Sequence, residues 1–178
     1  MKTIFPALIF YFLFSVSAFA QAEQKSEKAE KLMEFGAEHC SQVLGYVLSA
    51  MAEIRKTPGA KLYVIYYEGK LVSSIWNNKL IRYDYKYSNP KRGEALRRAK
   101  EVRLTVKDVK FSNGAKFSEG DVILLSGGFR EEFVIELWSV AENAEPPRPT
   151  PTLQENDIKF SKGKPFKPRL CARIYDGL

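Results

Sequence analysis

Two arginines and one aspartate hold most of the chemical interest in this sequence. Arg98 lies in the stretch Arg97-Arg98-Ala99-Lys100-Glu101-Val102, Arg130 directly follows Gly127-Gly128-Phe129, and Asp84 stands among Tyr83, Tyr85 and Tyr87. A guanidinium presents a planar, bidentate fork to carboxylate or phosphate, so Arg98 and Arg130 converging at one end of a sheet would suit an anionic ligand. Arg130 also has a structural reading: leaving a tight turn, it could pair with Glu131, Glu132 or Glu94 and brace the chain. Catalytic constellations are lacking. The single histidine, His39, has no spaced partner for metal chemistry. Ser126-Gly127-Gly128 precedes a strand rather than the helix that a nucleophile elbow needs, and no phosphate-cradling glycine loop occurs. A hydrolase built on Asp84 and His39 would need unusual geometry. The expectation is a protein that binds rather than catalyses, with no metal and no cofactor.

Cys40 and Cys171 are the only cysteines, and whether they pair depends on compartment. Met1-Lys2, a nearly unbroken apolar run from Ile4 to Phe14, and Ala18-Phe19-Ala20 read as a secretory signal, residues 1–20, cleaved before Gln21. No later stretch approaches the roughly 18 apolar residues of a membrane span, so no integral membrane segment is expected after cleavage. Export to the periplasm or beyond favours a Cys40–Cys171 disulfide. Closing a loop of about 130 residues would contribute on the order of 4–5 kcal/mol in the chain-entropy model. Two separate buried thiols are the alternative. The formal charge of +7 falls to +6 once Lys2 is removed. A basic exported protein suits anionic envelope partners such as phospholipid headgroups, lipopolysaccharide or wall carboxylates, or another envelope protein, and nucleic acid is excluded by compartment.

The elements that must position these groups alternate along the chain. Residues 21–30 form a charged lead, and Leu32–Phe35 is a short strand. Val43, Leu44, Val47, Leu48, Met51 and Ile54 recur at helical spacing until Thr57-Pro58-Gly59 ends the run. Leu62–Tyr67, dense in β-branched and aromatic residues, is a buried strand. Asn89-Pro90 has the form of a helix start, with Asn as cap and Pro at the first position. Ala95, Leu96, Ala99 and Val102 then face one way, and Arg97, Arg98, Lys100 and Arg103 the other. Val122–Leu125 and Phe133–Trp138 are the last strands, with Gly127-Gly128 in their connection, where positive φ is needed. Residues 141–152, Ala-Glu-Asn-Ala-Glu-Pro-Pro-Arg-Pro-Thr-Pro-Thr, read as an extended polyproline-like spacer or edge wrap leading into a basic tail.

With these pieces in place, residues 31–140 resemble a compact OmpA-like, peptidoglycan-binding domain. They are still more similar to a group of small exported bacterial proteins. The resemblance rests on the Pro58–Gly69 strand, the Arg97–Val102 helix, the Gly127–Glu132 turn, the Val134–Trp138 strand and Pro146–Thr152. It implies an α+β fold, a β-α-β-α-β-β two-layer sandwich, with 141–178 as a proline-rich linker and basic tail. In OmpA-like domains an aspartate after the second strand and an arginine in the second helix hold the diaminopimelate of the wall peptide. Arg98 stands at the arginine's place, while the aspartate is missing, leaving Asp84 or Glu68 as substitutes. Peptidoglycan or an envelope protein is therefore the implied partner. The insertion at 71–88, mixed aromatic and polar, is left without an assigned element.

Overall fold

The computed structural model describes residues 28–77, 79–109, 117–165 and 167–168. The proposed signal segment 1–20, most of the charged lead and Cys171 lie outside them. Over the described residues the fold is α+β, with five strands in a mixed sheet and two α-helices. In chain order these are β1 (Glu30–Phe35), α1 (Cys40–Ile54), β2 (Lys61–Asn77), β3 (Arg82–Ser88), α2 (Glu94–Asp108), β4 (Val122–Glu132) and β5 (Val134–Val140). The order is thus β-α-β-β-α-β-β. The strand added to the expected order is the unassigned segment, which folds as a hairpin between the long β2 and β3.

β2 organises the sheet. Leu62–Tyr67 pairs in parallel with β4 on one edge and antiparallel with β5 on the other, and β5 in turn pairs antiparallel with β1. Both backbone edges of β2 are therefore satisfied through the core. Its side chains alternate between faces as the strand period requires. Leu62 and Val64 point to the helix side with Ile135, Leu137 and Phe35, where Val43, Val47, Met51 and Ile54 of α1 and Ala95, Ala99, Val102 and Val106 of α2 complete the core. Ile65 and Tyr67 point to the opposite face and are also fully buried. Burial of this kind is worth roughly 2–3 kcal/mol for each large side chain. No helix among the described residues is long and apolar enough to cross a membrane.

Two local expectations change. α2 starts at Glu94 behind Gly93, whose φ of 78° a side chain would resist, rather than at Asn89-Pro90. Asn89 and Pro90 instead offer their carbonyls to Ser161 of the returning tail, 3.1 and 2.8 Å away. Gly127-Gly128 is not a connection. It lies inside β4, where the register slips between Tyr66↔Ser126 and Tyr67↔Gly128, so it forms a β-bulge. A Cβ on Gly127 would stand 2.3 Å from the Tyr67 ring, and Gly128 has φ 84°. The glycines admit the tyrosine where a tight turn was expected.

The β4–β5 link is Phe133 alone, and because these strands flank β2 on opposite edges the chain must cross β2 between them. It crosses at Gly69. A Cβ there would lie 2.2 Å from the carbonyl carbon of Glu132 and 2.6 Å from the amide nitrogen of Phe133, which donates to the Lys70 carbonyl at 2.9 Å. Backbone cannot yield as a flexible side chain can. Gly69→Ala is expected to lower unfolding stability by about 3 kcal/mol. The check is a denaturant titration, in which the midpoint should fall at an unchanged slope.

Candidate functional site

Two polar centres stand on opposite sides of the sheet. The first is built around Glu136, the one charge in the otherwise apolar Val134–Trp138 run. Strand alternation turns Ile135 and Leu137 toward the helices and Glu136 the other way, where it is only 3% exposed. Arg130 Nη2 donates to its Oε1 at 3.0 Å, and the Trp138 indole and the Tyr67 hydroxyl donate to its Oε2 at 3.0 and 3.3 Å. Lys31 Nζ lies 3.4 Å from Oε1. The Arg130 guanidinium also stacks on the Tyr67 ring at 3.7 Å, joining charge pairing to a cation–π contact.

The proline-rich segment closes this centre. Arg130 donates from Nε to the Thr150 carbonyl at 3.2 Å and from Nη2 to its hydroxyl at 2.6 Å, and the Thr150 amide donates to the Tyr67 hydroxyl at 3.1 Å. Pro151 packs beside Gly128, and the amides of Thr152 and Leu153 donate to the Phe129 carbonyl. Residues 146–153 are thus a strap fastened across the second sheet face. Of the partners anticipated for Arg130, none is its main one. Strand alternation turns Glu136 under it, whereas Glu131 accepts from the Thr152 hydroxyl at 2.8 Å.

The second centre lies where β2, β3, α2 and the tail meet. An open groove of about 420 Å³ is lined by Leu71, Ser88, Asn89, Lys91, Glu94 and Ser161. Glu94, 4% exposed, is held by Arg98 at 3.3 Å one turn along α2. Arg98 itself lies under the Phe133 ring at 5.5 Å and reaches a cleft of only about 10 Å³ beside Glu101, too small for a ligand. Glu68, at the end of the core part of β2, turns its carboxylate to the amides of Ala95 and Gly93, and its Oε2 is buried without a hydrogen-bond partner among the described residues. Burial raises its pKa, the two amides oppose that shift, neighbouring Glu94 adds to it and Arg92 opposes it. Lys91, in the turn before α2, brings a cation to the same groove.

The anticipated residues therefore separate. Arg98 and Arg130 do not converge, because the sheet lies between them. Asp84 is half-buried in β3 opposite Ile75, out along the hairpin, so of the two proposed substitutes only Glu68 reaches the start of α2. His39 precedes α1 as its N-cap and donates its backbone amide to Gln42 Oε1 at 3.4 Å. Cys40 is the first residue of α1, with Sγ 3.8 Å from Glu101 Oε1. Among the described residues no group of three or more His, Cys, Asp or Glu is arranged to hold a metal. Sequence reasoning missed Lys91, Glu94 as a groove wall, and Glu136. Glu136 had a signal, since a lone acid inside an apolar strand must find a cation, and Arg130 is six residues away. Comparison with family models, with curated proteins and with solved structures gives no match to this chain.

The Glu136 centre sets a pH dependence. Burial alone would raise its pKa, but the Trp138 hydrogen bond, the charges of Lys31 and Arg130 and the Arg130 hydrogen bond together bring it below the ordinary 4.5. A carboxylate with a lowered folded-state pKa contributes stability above its unfolded value and loses it as pH falls through the folded one. Glu136→Gln is expected to flatten the loss of stability below about pH 4.5. Arg130→Ala, which strands a buried acid, is expected to cost about 3–5 kcal/mol at neutral pH. Urea titrations across pH measure both.

Proposed function

We propose that the chain is a non-catalytic, exported module of the cell envelope on an OmpA-like scaffold, and that it receives a small wall-derived group in the groove at the start of α2. The observation carrying this reading is that opposite charges, Lys91 and Glu94, line one opening, with the carboxylate of Glu68 turned to the amides at the start of the same helix. A zwitterionic amino acid such as the wall peptide carries asks for this combination. Glu68 follows the core part of the second strand, and Arg98 sits in the second helix, the two places from which OmpA-like domains draw their acid and base. Here Arg98 acts on the groove indirectly, by holding Glu94. Two helices on one face of a mixed sheet are compatible with that scaffold, enlarged by the β2–β3 hairpin. The module is placed in the periplasm or outside the cell, and Cys40 and Cys171 are taken to form a disulfide that ties the tail to the start of α1.

A purely structural or assembly role in the envelope is the second reading. One observation favours it: both Arg98 and Arg130 are engaged by carboxylates of the chain itself, Glu94 and Glu136. Cosedimentation with insoluble peptidoglycan at low and physiological salt separates the two. The wall-binding reading expects sedimentation that survives salt and falls at least about tenfold with Lys91→Glu or Glu94→Gln, a loss of about 1.4 kcal/mol. Sedimentation that disappears with salt, or ignores both substitutions, supports the structural role. For the disulfide, intact mass after alkylation of the exported, unreduced protein should show no added label. Two labels would remove the bond.

A further inference from the structure

The β2–β3 hairpin leaves the body of the protein as an arm. From Leu71↔Ser88 to Asn77↔Arg82 its two strands pair with each other, and the tail joins just beyond the end of β3, at Lys91↔Ser161. Four of the six large hydrophobic residues exposed among the described residues lie on this arm: Leu80 at 56%, Ile81 at 79%, Tyr85 at 67% and Tyr87 at 58%. Leu80 and Ile81 form its tip. Ile81 has φ 49°, the left-handed region that a β-branched residue resists and in which glycine or asparagine is at ease. A strained, fully apolar residue is thus held where most of its surface stays in water. In the sequence the pair is bracketed by Lys79 and Arg82, and Lys86 follows on β3. Tyr85 and Tyr87, two apart on one strand, share a face.

We propose that this arm docks on an anionic phospholipid surface, with Leu80 and Ile81 entering the headgroup–acyl boundary. Each part of the arm matches a different layer of such a surface. The apolar tip gains by leaving water, the basic residues around it meet the negative headgroups, and tyrosines are suited to the interfacial zone because each ring has an apolar body and a polar end. The basic balance of the whole chain adds attraction of the same sign. A second copy pairing along the β3 edge would bury Tyr85 and Tyr87, yet it gives the strained apolar tip nothing to enter.

The test uses the exported chain, residues 21–178, and sedimentation with vesicles. One set is phosphatidylcholine alone and the other contains roughly one third phosphatidylglycerol. Binding is expected on the anionic vesicles, about tenfold weaker on the neutral ones and weakened by salt. Leu80→Ser and Ile81→Gly are each expected to weaken it by about tenfold. Ile81→Gly cannot act by unfolding if the strain is real, because glycine relieves it, so its melting temperature should equal or exceed that of the parent. Protein that stays in the supernatant under every condition, binding indifferent to both tip substitutions, or a soluble dimer lost on altering β3 would each overturn the proposal.

Discussion

A carboxylate sits in the middle of the sheet, and the second face of this protein is arranged around keeping it charged. Glu136 is almost wholly removed from water, so its charge persists only with partners within hydrogen-bond reach. Four elements supply them: Lys31 from β1, Tyr67 from β2, Arg130 from β4 and Trp138 from β5. The strap then completes the arginine and the tyrosine through Thr150. The segment is held less by its prolines than by two polar side chains that the acid has already oriented. Its backbone pairing with the sheet is limited to the Phe129↔Leu153 bridge, so it lies down mainly because preformed donors and an acceptor await it, and because proline restricts the conformations it must give up.

The same constraint explains the glycines. Tyr67 must lie flat beneath Arg130 for its hydroxyl to reach both Glu136 and Thr150, and that leaves no room for a side chain at position 127 of the neighbouring strand. The bulge of β4 is the consequence, and it moves the register on by one residue so that the following residues continue along β2. Two residues further along β2 than Tyr67, Gly69 lets the Glu132–Phe133 backbone pass across. β2 therefore carries a parallel neighbour, an antiparallel neighbour and a crossing chain within nine residues, and small residues stand at the two points where backbone or ring approaches closest.

How far this was legible in the sequence follows from the range of the interactions. The helical face of α1 and the apolar run of β5 are local patterns, and they fixed their elements to within a few residues, whereas β2 starts where its apolar run does but continues to Asn77, well past the expected end at Tyr67. α2 was displaced by several residues because Asn89-Pro90 has the chemistry of a cap, while a competing use, carbonyl acceptors for Ser161, comes from 70 residues away. Gly127-Gly128 reads as a turn on local grounds, and only the bulk of Tyr67, sixty residues earlier, makes it a bulge. The hairpin was illegible for a related reason. Leu71–Asn77 lacks the alternation of apolar and polar residues that announces a half-buried sheet, and although Tyr83, Tyr85 and Tyr87 do alternate with polar residues along β3, one alternating run does not name the strand it pairs with. At the site, Arg98 and Arg130 were legible as special, but not the sheet between them, which depends on the order in which the strands pair.

The arm and the groove are joined by the same two strands. Leu71 and Ser88, the first pair of the arm, also line the groove, whereas Leu80 and Ile81 stand at its far end. Six further residue steps at about 3.3 Å each separate the root pair from Asn77↔Arg82, so the tip is held about 20 Å from the groove. That separation matters for a basic protein near a charged surface. Screening in physiological salt acts within about 8 Å, so the tip's contacts with headgroups and the charge pairing of Lys91 and Glu94 in the groove are electrostatically independent. A surface-bound arm would thus leave the groove open and its charges unaltered. On that proposal the hairpin would act as a spacer, setting the height and angle at which the start of α2 is presented.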